Sequence, residues 1–310
     1  MTWINRQRIF TPEDHPDWAG THAQVPTPLV YDDFIRVFYA DREASGRSYT
    51  TFLDVDRRDP TRVLAYHKHR ILDFGAAGAF DDDGVMPSFA LRHEGRVLLY
   101  YNGWNRGVTV PYRNSVGIAV SDDDGTTFRR LFEGPVLERN RNEPYMTVLP
   151  TILREGSLWR MWYTSGTRWI DIDGRYEPVY IVKYCYSHDG MDWIRPNHLC
   201  IQPRHDAEAI SNPSVIKDGD IYRMWYCYRN SHDYRDGSGS YRIGYAESRD
   251  GLDWARMDER CGLPVAEAGW DSTMTAYPAV IAVDNRLLMF YNGNCFGRTG
   301  IGCAILERDR

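Results

Sequence analysis

An all-β chain, wound as a five-bladed β-propeller of four-stranded antiparallel blades, is the architecture that three regularities of this sequence predict. Five prolines, Pro26, Pro87, Pro150, Pro213 and Pro278, recur at an almost constant spacing across nearly the whole chain. The repeat they mark is close in length to one four-stranded blade. The chemistry after each proline repeats as well, in PTPLVYDDFIRVFYA, PSFALRHEGRVLLYY, PTILREGSLWRMWYT, PSVIKDGDIYRMWYC and PAVIAVDNRLLMFYN. A second signature, in VGIAVSDDDGTTF, KYCYSHDGMDW and IGYAESRDGLDW, keeps phase with the first, its Gly125, Gly190 and Gly251 recurring at the same spacing as the prolines.

The elements of each unit follow in order. A short apolar strand comes first, with inner strands expected to begin near residues 22, 83, 146, 209 and 274. A polar turn follows, at Asp32-Asp33, Glu94-Gly95, Glu155-Gly156, Asp218-Gly219 and Asp284-Asn285, and a second strand ends in aromatics, so each pair reads as a β-hairpin. A third strand then leads into the second signature, where Ser and Asp side chains can hold the turn backbone, Gly permits a positive φ, and a closing Trp or Phe packs between sheets. That turn resembles the Asp-box of sialidase-type propellers. Its recurrence gives Ser121, Ser187, Ser248 and the Asp residues beside them a structural role. The fifth unit runs out at GIGCAILERDR after its third strand, and the N-terminal TWINRQRIF is expected to supply the missing outer strand and close the ring. The whole chain, 1–310, then reads as a single domain.

Composition agrees with one large β domain. Twenty-one Tyr and ten Trp favour strands and packing between sheets. No apolar run reaches the length of a membrane span, and MTWINRQRIF lacks the hydrophobic stretch of a secretion signal, so the expected location is cytoplasmic, with no membrane partner. A formal net charge of −6 and the absence of a basic stripe argue against nucleic acid. The six cysteines, at 185, 200, 227, 261, 295 and 303, form no CxxC pair and are expected to be reduced. The stretch 233–241, DYRDGSGSY, reads as a loop between strands.

In a propeller the innermost strands line the axis, so polar residues just before the five prolines converge there. These stretches are THAQVP, FDDDGVMP, NEPYMTVLP, DAEAISNP and WDSTMTAYP. Four hold carboxylates: Asp81, Asp82 and Asp83; Glu143; Asp206 and Glu208; and Asp271. The remaining one holds His22 and Gln24. Acids in solvated rim loops are common, but several converging on one axis single out Asp83, Glu143 and Glu208.

With inner-strand acids and hairpin repeats of this kind, the chain resembles the five-bladed glycoside hydrolase superfamily that includes families 43, 62, 32, 68 and 130. The resemblance implies a carbohydrate in the funnel, two carboxylates flanking the glycosidic bond, and often a third acid that positions the substrate. In many members an Asp directly precedes the inner-strand proline. Here that place holds Val25, Met86, Leu149, Asn212 and Tyr277, none of them acidic, which implies a divergent branch with its acids several residues earlier. Arg58-Asp59-Pro60 spells another family motif, but follows the third strand of the first unit and is expected in an outer turn.

Glycosidic cleavage needs one carboxyl kept protonated and another kept ionised. On that logic Asp83 is the candidate base or nucleophile, and Glu208 or Glu143 the acid. The crowded Asp81-Asp82-Asp83 run could instead hold a central cation such as calcium, with no other cofactor or metal expected. Candidate substrate contacts are His22, Gln24, Arg42, Asp82, Trp104, Tyr112, Arg113, Arg229 and Asp271, with Asn105, Asn114, Trp169 and Asn230 near them. For His22 three roles stay open: substrate contact, cation ligand or core histidine. Three functions follow as expectations: a glycosidase, an intracellular glycoside phosphorylase or glycosyltransferase, and a non-catalytic sugar-binding propeller. Arginines in two units leave room for an anionic or phosphorylated sugar.

Overall fold

The computed structural model describes residues 1–235 and 238–307. Two positions of the loop expected over 233–241, residues 236 and 237, and the last three residues of GIGCAILERDR lie outside the described residues.

The chain is all-β. After β1 (Ile4–Phe10) come β2 (Ala23–Val30), β3 (Phe34–Arg42), β4 (Ser48–Asp56) and β5 (Val63–Tyr66). A second group holds β6 (Gly84–His93), β7 (Arg96–Arg106), β8 (Tyr112–Ser121) and β9 (Arg129–Arg130), and a third β10 (Thr147–Glu155), β11 (Leu158–Ile172), β12 (Arg175–Ser187) and β13 (Ile194–Leu199). The fourth is β14 (Glu208–Asp218), β15 (Ile221–Asn230), β16 (Arg242–Ser248) and β17 (Ala255–Arg256). The last strands are β18 (Ala276–Val283), β19 (Arg286–Asn292) and β20 (Ile301–Glu307).

Three sheets are four-stranded, in the orders β10-β11-β12-β13, β14-β15-β16-β17 and β1-β20-β19-β18, so the N-terminal strand lies at the outer edge beside the C-terminal one. The first two groups form one eight-stranded sheet because a single parallel pair, Ser48 with Gly84, joins them. Within each group neighbouring strands run antiparallel, as hairpin connections dictate. The hairpin turns fall where the polar residues are: Glu94 and Gly95 take φ of 50° and 75°, Gly156 63°, Gly219 61° and Asp284 53°. Arg58-Asp59-Pro60 sits between β4 and β5.

Packing between the groups follows chain order. One apolar cluster joins Phe38 and Phe52 to Leu99, and the next Tyr100 and Ile118 to Trp159. Trp162 then meets Tyr222, Trp225 meets Met289, and Phe290 meets Tyr39. The Ser-Asp turns fasten these contacts. Gly125, Gly190 and Gly251 donate their N–H groups to Ser121, Ser187 and Ser248 Oγ at 2.8, 2.9 and 2.9 Å. Tyr100 Oη then donates to the Gly190 carbonyl, and Trp162 Nε1 to that of Gly251, each at 2.7 Å and each from the preceding group. These turns are structural, as their recurrence implies.

The inner strands carry a shared irregularity. Val25, Leu149, Asn212 and Tyr277, each just before a repeat proline, have φ between 50° and 55°, and the ladder registers shift there. Left-handed backbone is unfavourable for such residues, so something must hold it. Each freed N–H donates to a second-strand side chain of another group: Val25 to Asn292 Oδ1 (2.9 Å), Leu149 to Asn102 Oδ1 (2.7 Å), Asn212 to Thr164 Oγ1 (2.9 Å) and Tyr277 to Cys227 Sγ (3.0 Å). These acceptors occupy one repeat position, immediately after the aromatic pairs. Its counterpart in the first group is Ala40, which has no side-chain acceptor, and Met86 is not among the positive-φ residues.

All six cysteines are unpaired, five of them buried. No helix among the described residues is long and apolar enough to cross a membrane.

Candidate functional site

The bulges aim the residues before the prolines inward. Val25, Met86, Leu149 and Tyr277 form part of the wall of a cavity of about 410 Å³, and Asn212 lines a separate small cavity of about 40 Å³ beside four of the repeat prolines. The positions that carry an Asp in the resembling families therefore do face the interior, and here they present apolar, amide and phenol groups.

The rest of the wall comes from the ends of second strands and from insertions. Arg42 ends β3, Trp104 lies near the end of β7 and Arg229 near that of β15, and all three line the cavity. Trp104 needs Gly84 beside it, because a Cβ there would stand 1.9 Å from the indole nitrogen, which donates to Ser48 Oγ at 2.7 Å. Tyr112 shares a 3.0 Å hydroxyl contact with Tyr180 and meets Trp169 edge-on, with ring centroids 5.3 Å apart. The β11–β12 hairpin, with strands of 15 and 13 residues, extends past its counterparts and carries Arg175, Tyr176 and Glu177 into the wall. Tyr234, Arg235 and Tyr241 come from the segment between β15 and β16, and Phe296 from the turn Asn294–Gly297, where Cys295 and Phe296 take φ of 55° and 58°.

Charge in the cavity is lopsided. Arg42, Arg175, Arg229 and Arg235 line it, and among the described residues of the wall Glu177 is the one carboxylate. Arg235 Nε donates to Glu177 Oε1 at 2.6 Å, Arg175 Nε lies 2.9 Å from the same oxygen, and Tyr234 Oη donates to Oε2 at 2.5 Å. Burial would raise this carboxyl's pKa, but the hydrogen bonds from Arg235 and Tyr234 outweigh it and hold the group below its usual value. Glu177 is thus ionised at neutral pH. Burial, helped by Arg42 and Arg298, depresses the His22 imidazole to about 4, so His22 is neutral there. An arginine-rich wall with one paired carboxylate does not fit a divalent cation, and no group of three or more His, Cys, Asp or Glu that could hold a metal occurs among the described residues.

Of the residues singled out from sequence, His22, Gln24, Arg42, Trp104, Tyr112 and Arg229 line the cavity, together with Asn114. Asp83, Glu143, Glu208, Asp82, Arg113 and Asp271 are not in its wall. Arg113 is exposed on β8, and Asp82 accepts the Gly78 N–H at 2.8 Å. Asp83 accepts the Arg106 N–H at 2.8 Å, and its side chain is 21% exposed.

The remaining acids repeat one arrangement. Glu143 accepts from Tyr163 Oη at 2.9 Å and Arg195 at 2.8 Å, and Asp271 accepts from Tyr291 Oη at 2.8 Å and Arg6 at 2.6 Å. Asp81, the first of the second group's run of acids, accepts from Tyr101 Oη at 2.9 Å and Arg130 at 2.8 Å. Glu208 takes both Arg256 nitrogens, at 2.7 and 2.8 Å, while Tyr226 turns to Asp258 on the same arginine. Burial would raise the Glu208 carboxyl, yet Arg256 and the Arg204 N–H carry it below its usual value. The side chains of Glu143 and Glu208 are only 1% and 3% exposed. Each acid ties the loop before an inner strand to an arginine in or beside the outer edge of its sheet, and all but Glu208 also tie it to the second strand.

Sequence reasoning did not reach Asn102, Arg175, Glu177, Tyr180, Tyr234, Arg235, Tyr241 or Phe296. One signal was present: the third unit, with TRWIDIDGRYEPVY, runs a few residues longer from its aromatic pair to the Ser of its turn, Tyr163 to Ser187, than the second, Tyr101 to Ser121, and the fourth, Tyr226 to Ser248.

No known family model matches the chain. It is 35% identical over 309 residues, 99% of this chain and the full length of each relative, to two Mycobacterium tuberculosis proteins: Uncharacterized protein MT1551 of strain CDC 1551 / Oshkosh and Uncharacterized protein Rv1502 of strain ATCC 25618 / H37Rv. Among solved structures, a BT0996 RGII complex superposes with a TM-score of 0.74 at 19% identity, covering 98% of this chain and 90% of that one. A thermostable family-43 glycoside hydrolase gives 0.64 at 16%, covering 94% and 91%, and the Penicillium chrysogenum alpha-L-arabinanase complexed with arabinobiose 0.60 at 12%, covering 99% of each chain. At such identities these likenesses establish the fold, that of the propeller glycoside hydrolases. The chain belongs to the family of the mycobacterial proteins MT1551 and Rv1502.

Proposed function

We propose that the chain forms one domain of five blades, closed into a ring by β1, and that its axial cavity binds a sugar-containing small molecule. The five-blade reading is supported by contacts that run from β2 through β6, β10, β14 and β18 and back to β2. Free, buried thiols support a reducing, cytoplasmic setting.

The observation that carries the saccharide reading is the composition of the cavity wall. Sugars offer apolar ring faces and dense hydroxyls, and are held by aromatic platforms beside planar polar groups. Trp104, Tyr112 and Tyr176 supply the first; Gln24, Asn102, Asn114 and Arg42 supply the second. A volume of about 410 Å³ suits a small ligand. Saturation-transfer NMR and calorimetry against mono- and disaccharides test this: at least one sugar class should bind, and Trp104→Ala should abolish binding without unfolding the chain. If no saccharide binds, the reading fails.

Glycosidic-bond chemistry is the second reading, favoured by the fold shared with glycoside hydrolases. In its paired-acid form Asp83, Glu143 and Glu208 would supply acid and base, and the partly exposed Asp83 is the member best able to reach a ligand. In its phosphorylase or transferase form one carboxylate suffices, and the cavity wall offers Glu177. Turnover that stops in Asp83→Asn, Glu143→Gln or Glu208→Gln while the fold survives would favour the paired acids. Turnover only with added phosphate or a nucleotide sugar would favour the other form.

A further inference from the structure

The cavity wall holds more positive charge than the described residues balance. Glu177 is shared between Arg175 and Arg235, whereas Arg42 and Arg229 make no ion pair among the described residues. Arg229 is 2% exposed; its terminal nitrogens donate to Ser231 Oγ and the Pro178 carbonyl, its Cζ lies 3.6 Å from the Tyr234 ring centroid, and its Nε has no partner among the described residues. Arg42 is used less. One guanidinium nitrogen donates to Gln24 Oε1 at 2.8 Å, Nε is unpartnered, and burial lowers the group's pKa. Two further buried groups on the same wall, Asn102 Nδ2 and Ser211 Oγ, also lack partners.

Three of these four unfilled groups can only donate. A buried cation without a counter-charge is unfavourable, and native structures rarely leave buried donors unpaired unless something absent from the chain fills them. A neutral sugar can offer hydroxyl oxygens to these donors but leaves the charge unbalanced. A planar or tetrahedral oxyanion brings acceptors alone, in the geometry a guanidinium fork matches. In a confined cavity the field of the remaining arginines adds to that attraction.

Resting on the saccharide reading above, we propose that the cavity's ligand is a saccharide carrying an anionic group, a carboxylate or a phosphate, that pairs with Arg42 in the field of Arg229.

Calorimetry on the full chain with matched probes tests this: D-glucuronate and glucose 1-phosphate, each against methyl glucoside, with inorganic phosphate alone as a further arm. At least one anionic sugar should bind about tenfold or more tighter than its neutral partner, a hydrogen bond to a charged group being worth at least that much. That preference should shrink with added salt, fall in Arg42→Met and return in part in Arg42→Lys. Glucuronate or glucose 1-phosphate winning tells carboxylate from phosphate. If neither anionic sugar outbinds methyl glucoside in the wild-type chain, the inference is overturned whatever the variants do; should methyl glucoside bind, the saccharide reading survives it. If inorganic phosphate binds as tightly as glucose 1-phosphate and neither glucuronate nor methyl glucoside binds, the saccharide reading falls and this proposal with it.

Discussion

Acids, tyrosines and arginines meet in two regions of this molecule, to different ends. In the loops before the inner strands, Asp81, Glu143, Glu208 and Asp271 each face an arginine, and three of them also take a tyrosine hydroxyl from the second strand that follows. In the cavity four arginines line a wall with one carboxylate, which only two of them reach, and unfilled donors outnumber unfilled acceptors. In the first region every acid is paired with an arginine and the pairing repeats from sheet to sheet, even though Asp81 Oδ1 has no hydrogen-bond partner among the described residues; the second is short of counter-charge and built from what does not repeat, the long β11–β12 hairpin, the segment after β15 and the turn Asn294–Gly297. Repetition marks scaffold, because the same force balance recurs in each unit. Departure from it marks where a ligand can be served.

The strongest way to break this contrast is to remove a repeated acid. Glu143→Gln leaves the half-buried Arg195 and the buried Lys183 facing a neutral amide, a loss of about 3 kcal/mol, while Glu208→Gln leaves Arg256 with Asp258 alone and should cost less. Urea denaturation should show that loss while ligand affinity at the cavity changes little. A variant of unchanged stability that loses turnover would return these acids to a catalytic role and undo the comparison.

Glu177→Gln acts on the other region. It frees Arg175 and Arg235 from their carboxylate, so stability should fall by about 1–3 kcal/mol, as expected when a charged hydrogen-bond partner is withdrawn. Affinity for an anionic probe should rise, because the cavity gains a net positive charge. A fall in anion affinity would mean that Glu177 orients the arginines that matter rather than opposing the ligand.

A finer test uses the first unit, where no acid stands at the matching place. Tyr39 stands where Tyr101, Tyr163 and Tyr291 stand, but the matching place before it holds Ala19 instead of an acid, and its buried hydroxyl has no partner among the described residues. Tyr101→Phe should cost about 1–2 kcal/mol through the hydrogen bond that Asp81 loses, its pair with Arg130 remaining, and Tyr39→Phe should be neutral or slightly stabilising. Equal losses in both would show that ring packing, not the hydroxyl, sets the energy.

These tests also indicate what was legible beforehand. The five hairpins were, because Gly and Asn turns punctuate strands of alternating burial: inner strands expected near 22, 83, 146, 209 and 274 begin at 23, 84, 147, 208 and 276. The Ser-Asp turns were too, because a side chain that recurs in phase with the strands satisfies a local need, and Asp81, Glu143 and Asp271, each facing a tyrosine of the second strand, carry a similar signal. The inward aim of Val25 or Leu149 was not legible, since a left-handed bulge depends on a side-chain acceptor from another sheet. Neither was Glu177, whose place is set by the length of a hairpin and by two arginines, Arg175 from the same hairpin and Arg235 from the segment after β15.

The smallest effect, and the one that reads the cavity most directly, is the titration of His22. Its imidazole contacts Thr21 Oγ1 at 2.8 Å, and the charged groups acting on it are Arg42 on β3 and Arg298 after the turn Asn294–Gly297. Burial first, then these two cations, depress it from 6.5 to about 4. Between those values the unfolded chain binds the proton and the folded chain does not, so stability falls as pH drops from 6.5 towards 4 and levels off below it. The stability gap between the wild type and His22→Gln should shrink over that window and be constant above pH 7. Proton NMR should place the His22 titration near 4, and an anion seated on Arg42 should move it upward by screening the guanidinium charge. A neutral sugar cannot do that. By linkage, the same anion would then bind more tightly at pH 5 than at pH 7, as long as it stays ionised. A bound glucuronate or glucose 1-phosphate that left the His22 titration unmoved would place the oxyanion away from Arg42, at the Arg175–Arg235 side of the wall.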